Sequence, residues 1–182
     1  MTQLTLFIII TIFLAFSSRQ ALKNPGTHGF YRFFAFEGIL SIILLNHPYW
    51  FNDPYHSMQL LSWLLLLSSA VFIIHAIIMI KQHGGHADRQ ETPENYYFEN
   101  TTTIVKKGLY HHIRHPMYGS LLLLGWGAFF KHVTPLSTAL ILIVSGLLII
   151  TAKTEERENL SFFGKSYEGY IKQTKMFLPW IF

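Results

Sequence analysis

The sequence predicts an all-α integral membrane fold: about five transmembrane helices, with a C-terminal helical hairpin and a cytoplasmic amphipathic tail helix. Three observations predict it. Half of the 182 residues are apolar and only 13% are charged, whereas a soluble domain usually carries about 25%. Five apolar runs divide the chain. Its basic residues fall almost entirely into alternate connecting segments. There is no cysteine, which excludes disulfides and thiolate metal sites. The formal charge of +4 is laid out as membrane topology lays it out, and no nucleic acid partner is expected. The length implies one domain, 1–182.

The first run is Leu4 to Phe16. No Lys or Arg precedes Arg19, so it lacks the basic start of a cleaved signal peptide and reads as a retained helix. The second run is Phe30 to Leu45 and the third Leu60 to Ile80. Only the third meets the spanning length of about 20 residues unaided. The fourth, Tyr118 to Phe130, is separated from the fifth, Leu136 to Ala152, only by Lys131-His132-Val133-Thr134-Pro135. That is a tight hairpin, with Pro135 opening its second arm. Five spans with the N-terminus outside put twelve of the Lys and Arg residues on the cytoplasmic side and one, Lys131, outside; Arg32 lies in helix 2. The central loop and the C-terminal tail then share the cytoplasmic face.

That central loop holds the densest polar chemistry, in Gly108-Leu109-Tyr110-His111-His112-Ile113-Arg114-His115-Pro116-Met117-Tyr118-Gly119. Pro116 suits a first helical turn. The fourth helix therefore starts here, with unpaired N–H groups and its positive dipole end beside Arg114, a natural place for an anion. The bland alternative is basic side chains resting among lipid headgroups. Upstream, Lys81 to Pro93 reads as a solvated connector, Asn95-Tyr96-Tyr97-Phe98-Glu99 as an interfacial aromatic stretch, and Thr101 to Val105 as an extended or capping segment.

Glu155-Glu156-Arg157-Glu158 forms the other polar pole. Acids at a helix C-terminus oppose the macrodipole, so the helix is expected to continue. Leu160, Phe163, Tyr167 and Tyr170 would give it one apolar face, suited to the membrane interface. Carboxylates at the rim of an apolar site can hold a cation, or can simply be charge at a helix end. Glu37 is an intramembrane acid, costly unless paired or turned inward, and Arg32 is one possible partner. His75 is expected to face the interior as well. Gly125, Gly127, Ala128, Ser145 and Gly146 allow close helix packing. Ten histidines raise the reading of a His-box di-iron oxygenase, with His83-Gly84-Gly85-His86 and His111 to His115 as boxes. Their spacings fit poorly, a third box is missing, and no metal site is expected.

Gly108-Leu109-Tyr110, Arg114-His115-Pro116 and Tyr118, followed by Glu155-Glu156, Phe163-Gly164, Tyr167, Tyr170 and Pro179, resemble the two ordered motifs of integral-membrane methyltransferases. These are the isoprenylcysteine carboxyl methyltransferases and their phospholipid-methylating relatives. The resemblance covers Thr101 to Pro179. It implies S-adenosylmethionine as cofactor, bound by Thr102, Thr103, Ile104, Val105, Tyr110, His115, Pro116, Met117, Tyr118 and Glu155. Arg114, Glu155 and Glu156 would be the catalytic residues. Residues 1–80 would then be three N-terminal helices and 81–182 the catalytic half.

The implied chemistry is in-line methyl transfer to a lipophilic or lipidated acceptor entering between helices, either an isoprenylcysteine carboxylate or a phospholipid amine. For an amine, Glu156 or His112 would take the proton. Thr151, with Lys153 nearby, stands where prenylcysteine-type members carry a substrate-contacting arginine, which counts against a carboxylate acceptor. Two other readings are a non-enzymatic scaffold or transporter subunit, and a relative of the NADPH-dependent membrane sterol reductases, against which the short chain argues.

Overall fold

In the computed structural model, residues 2–85 and 100–179 are described. They form seven α-helices: α1 (Gln3–Ser17), α2 (Arg19–Lys23), α3 (His28–Asn46), α4 (Ser57–His83), α5 (Pro116–Phe129), α6 (Pro135–Phe163) and α7 (Lys165–Gln173). Tight 3-10 turns lie at His47–Tyr49 and Gly108–His111. No strand occurs among the described residues; an isolated parallel bridge joins Ile113 to Lys175. The expected aromatic stretch Asn95–Glu99, His86 and most of the expected Lys81–Pro93 connector lie outside the described residues, and Lys81 to His83 are the last turn of α4.

All five apolar runs are helical, but three helices have the length and apolarity to cross a membrane: His28–Tyr49, Ser57–His83 and Pro135–Phe163. They mark a membrane protein. The remaining two runs, α1 and α5, have 15 and 14 residues, and α5 is only about 21 Å long. Apolar surface is nonetheless exposed on α1 and on α4. Leu60, Leu64, Leu67, Val71, Ile74 and Ile78 make an exposed stripe along α4, and Leu4, Ile8, Ile12 and Phe16 make another on α1. Stripes of this size are not left facing water.

Helix α5 packs mainly on α4, and α3 mainly on α6. Ser62 Oγ donates to the Gly127 carbonyl at 2.7 Å, and Ser69 Oγ to that of Ser120 at 2.8 Å. Moving seven residues up α4 thus moves seven down α5, so the two are antiparallel. At Gly127 a Cβ would sit 3.2 Å from the Leu66 nitrogen and 2.9 Å from its side chain. Gly125, near Ile141, and Ala128, fully buried, serve the expected close contact. Gly146 does not: a Cβ there would meet nothing within 4 Å, and Ser145 Oγ donates back to Ile141. Between α3 and α6 the core is Ile42, Ile141, Val144 and Leu148, all fully buried.

The α5–α6 turn closes as the sequence requires. Thr134 and Ser137 form a reciprocal capping box, and Pro135 takes the first helical position. Lys131, 4% exposed, lays its ammonium 3.6 Å from the Trp63 ring centre and 3.0 Å from Gln59 Oε1. Burial lowers its pKa.

Helix α6 continues unbroken through Glu155, Glu156 and Glu158 to Phe163, so these acids sit in a helical interior. The apolar face expected to run on to Tyr170 is divided, because Gly164, at φ +57°, ends α6 and α7 begins anew. Glu158 ties α6 to the start of α3: its Oε1 accepts from the His28 N–H at 3.1 Å and its Oε2 lies 2.5 Å from His28 Nδ1. Glu37 turns toward α1, where Thr11 Oγ1 donates to its Oε2 at 2.7 Å; its Oε1 is buried without a hydrogen bond among the described residues. His75 lies against Gly108: a Cβ on that glycine, itself at φ +57°, would come within 2.1 Å of the imidazole.

Candidate functional site

Two polar poles 42 residues apart meet at one side chain. Arg114 Nε donates to Glu156 Oε1 at 2.6 Å. The same oxygen lies 3.3 Å from His115 Nε2, and His115 Nδ1 lies 3.9 Å from Glu155 Oε2. His115 is 4% exposed and stacks on Tyr118, ring centres 5.5 Å apart. The path of the chain explains the convergence. Pro116 starts α5 immediately after this pair, which fixes Arg114 and His115 at its mouth, while α6 projects the acids back over them.

The C-terminal segment locks the arrangement. The Arg114 N–H donates to the Lys175 carbonyl at 2.8 Å, that of His115 to Met176 at 3.1 Å, and that of Lys175 to His112 at 3.0 Å. Arg114 Nη1 donates to the carbonyls of Ile171, at 3.3 Å, and Thr174. It thereby satisfies acceptors that the end of α7 leaves unpaired. Tyr170 Oη donates to the Tyr110 carbonyl at 2.6 Å.

Above this cluster is a half-open cavity. About 90 Å³ of it admits a water-sized sphere, within about 650 Å³ of unfilled space at its mouth and walls. Of the residues expected from sequence, Ile104, Val105, Tyr110, Arg114, His115, Met117, Tyr118 and Glu155 line it. Thr102, Thr103, Pro116 and Glu156 do not. Thr103 Oγ1 donates to the His83 carbonyl at 2.7 Å, and the Thr102 and Thr103 N–H groups to Gly84 at 2.9 and 3.0 Å, so both threonines finish the end of α4. Pro116 is buried in the first turn of α5, and Glu156 lies behind the wall, holding Arg114 and His115.

Sequence reasoning missed Ile80, Thr101, Asn159, Phe163, Tyr167 and Tyr170 as lining residues. Asn159 carried a signal, since it lies one turn after Glu155 on the same helical face; its Nδ2 is 3.5 Å from Glu155 Oε1. Burial, with the Glu155 charge beside it, raises the pKa of the Tyr167 phenol. Burial does the same for Tyr170, against the opposing pull of Arg114. Both therefore stay neutral at ordinary pH. The candidate His box is split: His115 faces the acids, while His111 and His112 line a different cavity. Among the described residues no three histidine, aspartate or glutamate side chains converge as a metal site.

A family model described as a protein of unknown function, DUF1295, matches residues 16–165. The chain belongs to this family. The DUF1295 family includes steroid 5α-reductase-like and isoprenylcysteine-methyltransferase-like membrane proteins, so the methyltransferase resemblance read from the motifs stands. A methanethiol S-methyltransferase of Crocosphaera subtropica is 24% identical over 133 residues, 70% of this chain and 47% of that protein. The chain thus spans about half the length of that relative. No solved structure matches it.

Proposed function

We propose that this protein transfers a methyl group from S-adenosylmethionine to a lipophilic acceptor at the cytoplasmic membrane face. The observation that carries the reading is the Arg114–Glu156–His115–Glu155 cluster at the floor of one cavity. Four separate stretches of chain build that cavity. Its donor set suits the cofactor. Tyr110, Tyr118 and Val105 offer aromatic and apolar walls for a purine. Glu155 offers a carboxylate for a cation; Asn159 lies 3.5 Å and His115 3.9 Å from its oxygens, and the Tyr167 phenol is also beside it. As it stands the cavity, about 90 Å³, is smaller than the roughly 300–1,000 Å³ of small-molecule sites, so cofactor entry requires its walls to open.

Bound there, the cofactor supplies an electrophilic methyl group on a sulfonium. The protein's part is alignment and exclusion of water. Glu156 and Arg114 fix the His115 ring, Tyr118 stacks on it, and α7 closes the aqueous side. An apolar groove between α4, α5 and α6, lined by Phe72, Leu122, Trp126, Ile149 and Phe177, offers a lateral path for the acceptor. Thr151 is fully buried and donates to the Leu147 carbonyl at 2.8 Å, and Lys153 is exposed. Neither adds a cation to the Arg114 guanidinium already paired with Glu156, which favours a neutral acceptor, an amine or a thiol, over a carboxylate. The similar methanethiol S-methyltransferase, whose acceptor is a thiol, supports that choice. The reading includes five spans, with α1 and α5 as the two short ones and the N-terminus outside.

Titration calorimetry of the detergent-solubilised chain with S-adenosylhomocysteine tests this. Binding is expected, weakened at least about tenfold in His115→Ala and in Glu155→Ala. No binding, or binding indifferent to both substitutions, would overturn it. Tight NADPH binding in its place would move the protein to the reductase side of its family, and about two irons per chain would point to an oxygenase.

A further inference from the structure

A second cavity, of about 520 Å³, lies on the other side of Tyr170, a residue that lines both. Its ionisable walls are Lys106, His111, His112, Lys172 and Lys175, with no carboxylate lining it among the described residues. Glu168 pairs with Lys172 at 3.0 Å, and both are well exposed. Lysines around a helix C-terminus ordinarily complement its dipole. Here that need is already met, because Arg114 takes the Ile171 and Thr174 carbonyls from within. Lys172 has a carboxylate partner, but Lys106 and Lys175 have none among the described residues, so the cavity keeps a positive charge that an anion would offset.

The depth of the cavity favours a lipid as the source of that anion. Gly108, which begins the 3-10 turn carrying His111, abuts His75. His75 lies eight residues before the end of α4, about 12 Å along the helix. The turn is therefore level with the last turns of a spanning helix, where headgroups lie, and the Lys/Arg-rich side of a membrane protein faces an anionic leaflet. We infer that this cavity binds the phosphate of an anionic phospholipid headgroup, held by Lys106, Lys172 and Lys175 through charge-assisted hydrogen bonds. This inference does not depend on the proposed methyl transfer.

Calorimetry on the full chain in a neutral detergent tests it, with dihexanoylphosphatidylglycerol, dihexanoylphosphatidylcholine and glycerol phosphate as probes. The anionic lipid is expected to bind at least about tenfold more tightly than the zwitterionic one, and less tightly as salt rises. The combined Lys106→Gln, Lys172→Gln and Lys175→Gln variant should lose that preference, and the corresponding triple arginine variant should keep it. Circular dichroism and melting temperature serve as the folding control for both variants. Glycerol phosphate binding as tightly as the lipid, with the same dependence on the lysines, would support the phosphate site and assign it to a soluble ligand. Equal binding of the two lipids, or a preference that survives in the glutamine variant, would overturn the assignment.

Discussion

Arg114 joins three parts of the protein at once: an acid on α6, the end of α7 and its own loop before α5. Its planar fork lets Nε and Nη1 serve different partners, which a lysine ammonium cannot reproduce from the same position. Arg114→Lys keeps the charge and loses the geometry. With the side chain 9% exposed, the expected cost is about 1.5–3 kcal/mol. The check is a lowered melting temperature together with weaker S-adenosylhomocysteine binding; an unchanged melting temperature would show that the clamp contributes little. The types and spacing of Arg114, His115, Glu155 and Glu156 were legible in the sequence because polar groups stand out beside apolar runs. The carbonyl partners of Arg114 were not, since any residue supplies a carbonyl and only the folded path selects which ones.

The same division holds for the helices. Runs of apolar residues located α1, α3, α4, α5 and α6, because hydrophobic content survives any detail of packing. Their ends were less legible. The helix expected to continue past Glu155 does so, its acids gaining partners in Arg114, His115 and His28, but the stop at Gly164, which divides the face expected to run on to Tyr170, was not read. Small residues were read as one class, although their surroundings differ. Gly127→Ala forces a methyl against the Leu66 backbone and should cost about 1–3 kcal/mol. Gly146→Ala, in open space on a helix, should instead add about 0.5–1 kcal/mol of stability. Thermal melts in one detergent check both; a destabilised Gly146→Ala would contradict the open space beside it.

Across the whole molecule, the alternation of basic segments implies that Lys165 and Val133 lie on opposite sides of the bilayer. Both positions are exposed, and the chain has no native cysteine, so each single-cysteine variant carries one thiol. In intact cells, an impermeant maleimide should label Val133→Cys and spare Lys165→Cys; in inverted vesicles the pattern should reverse. Labelling of both from one side would refute the five-span topology. How Ile113 and Lys175 come together was the least legible feature, because a parallel bridge of one residue pair leaves no periodic trace.

That bridge also bears on how the protein is made. Arg114 must wait for Thr174, 60 residues later in synthesis, so a partly translated chain already inserted in the bilayer lacks the wall that α7 provides. The pocket is therefore closed only once α7 has been made, and a chain cut short before Lys165 would reach the membrane without that wall.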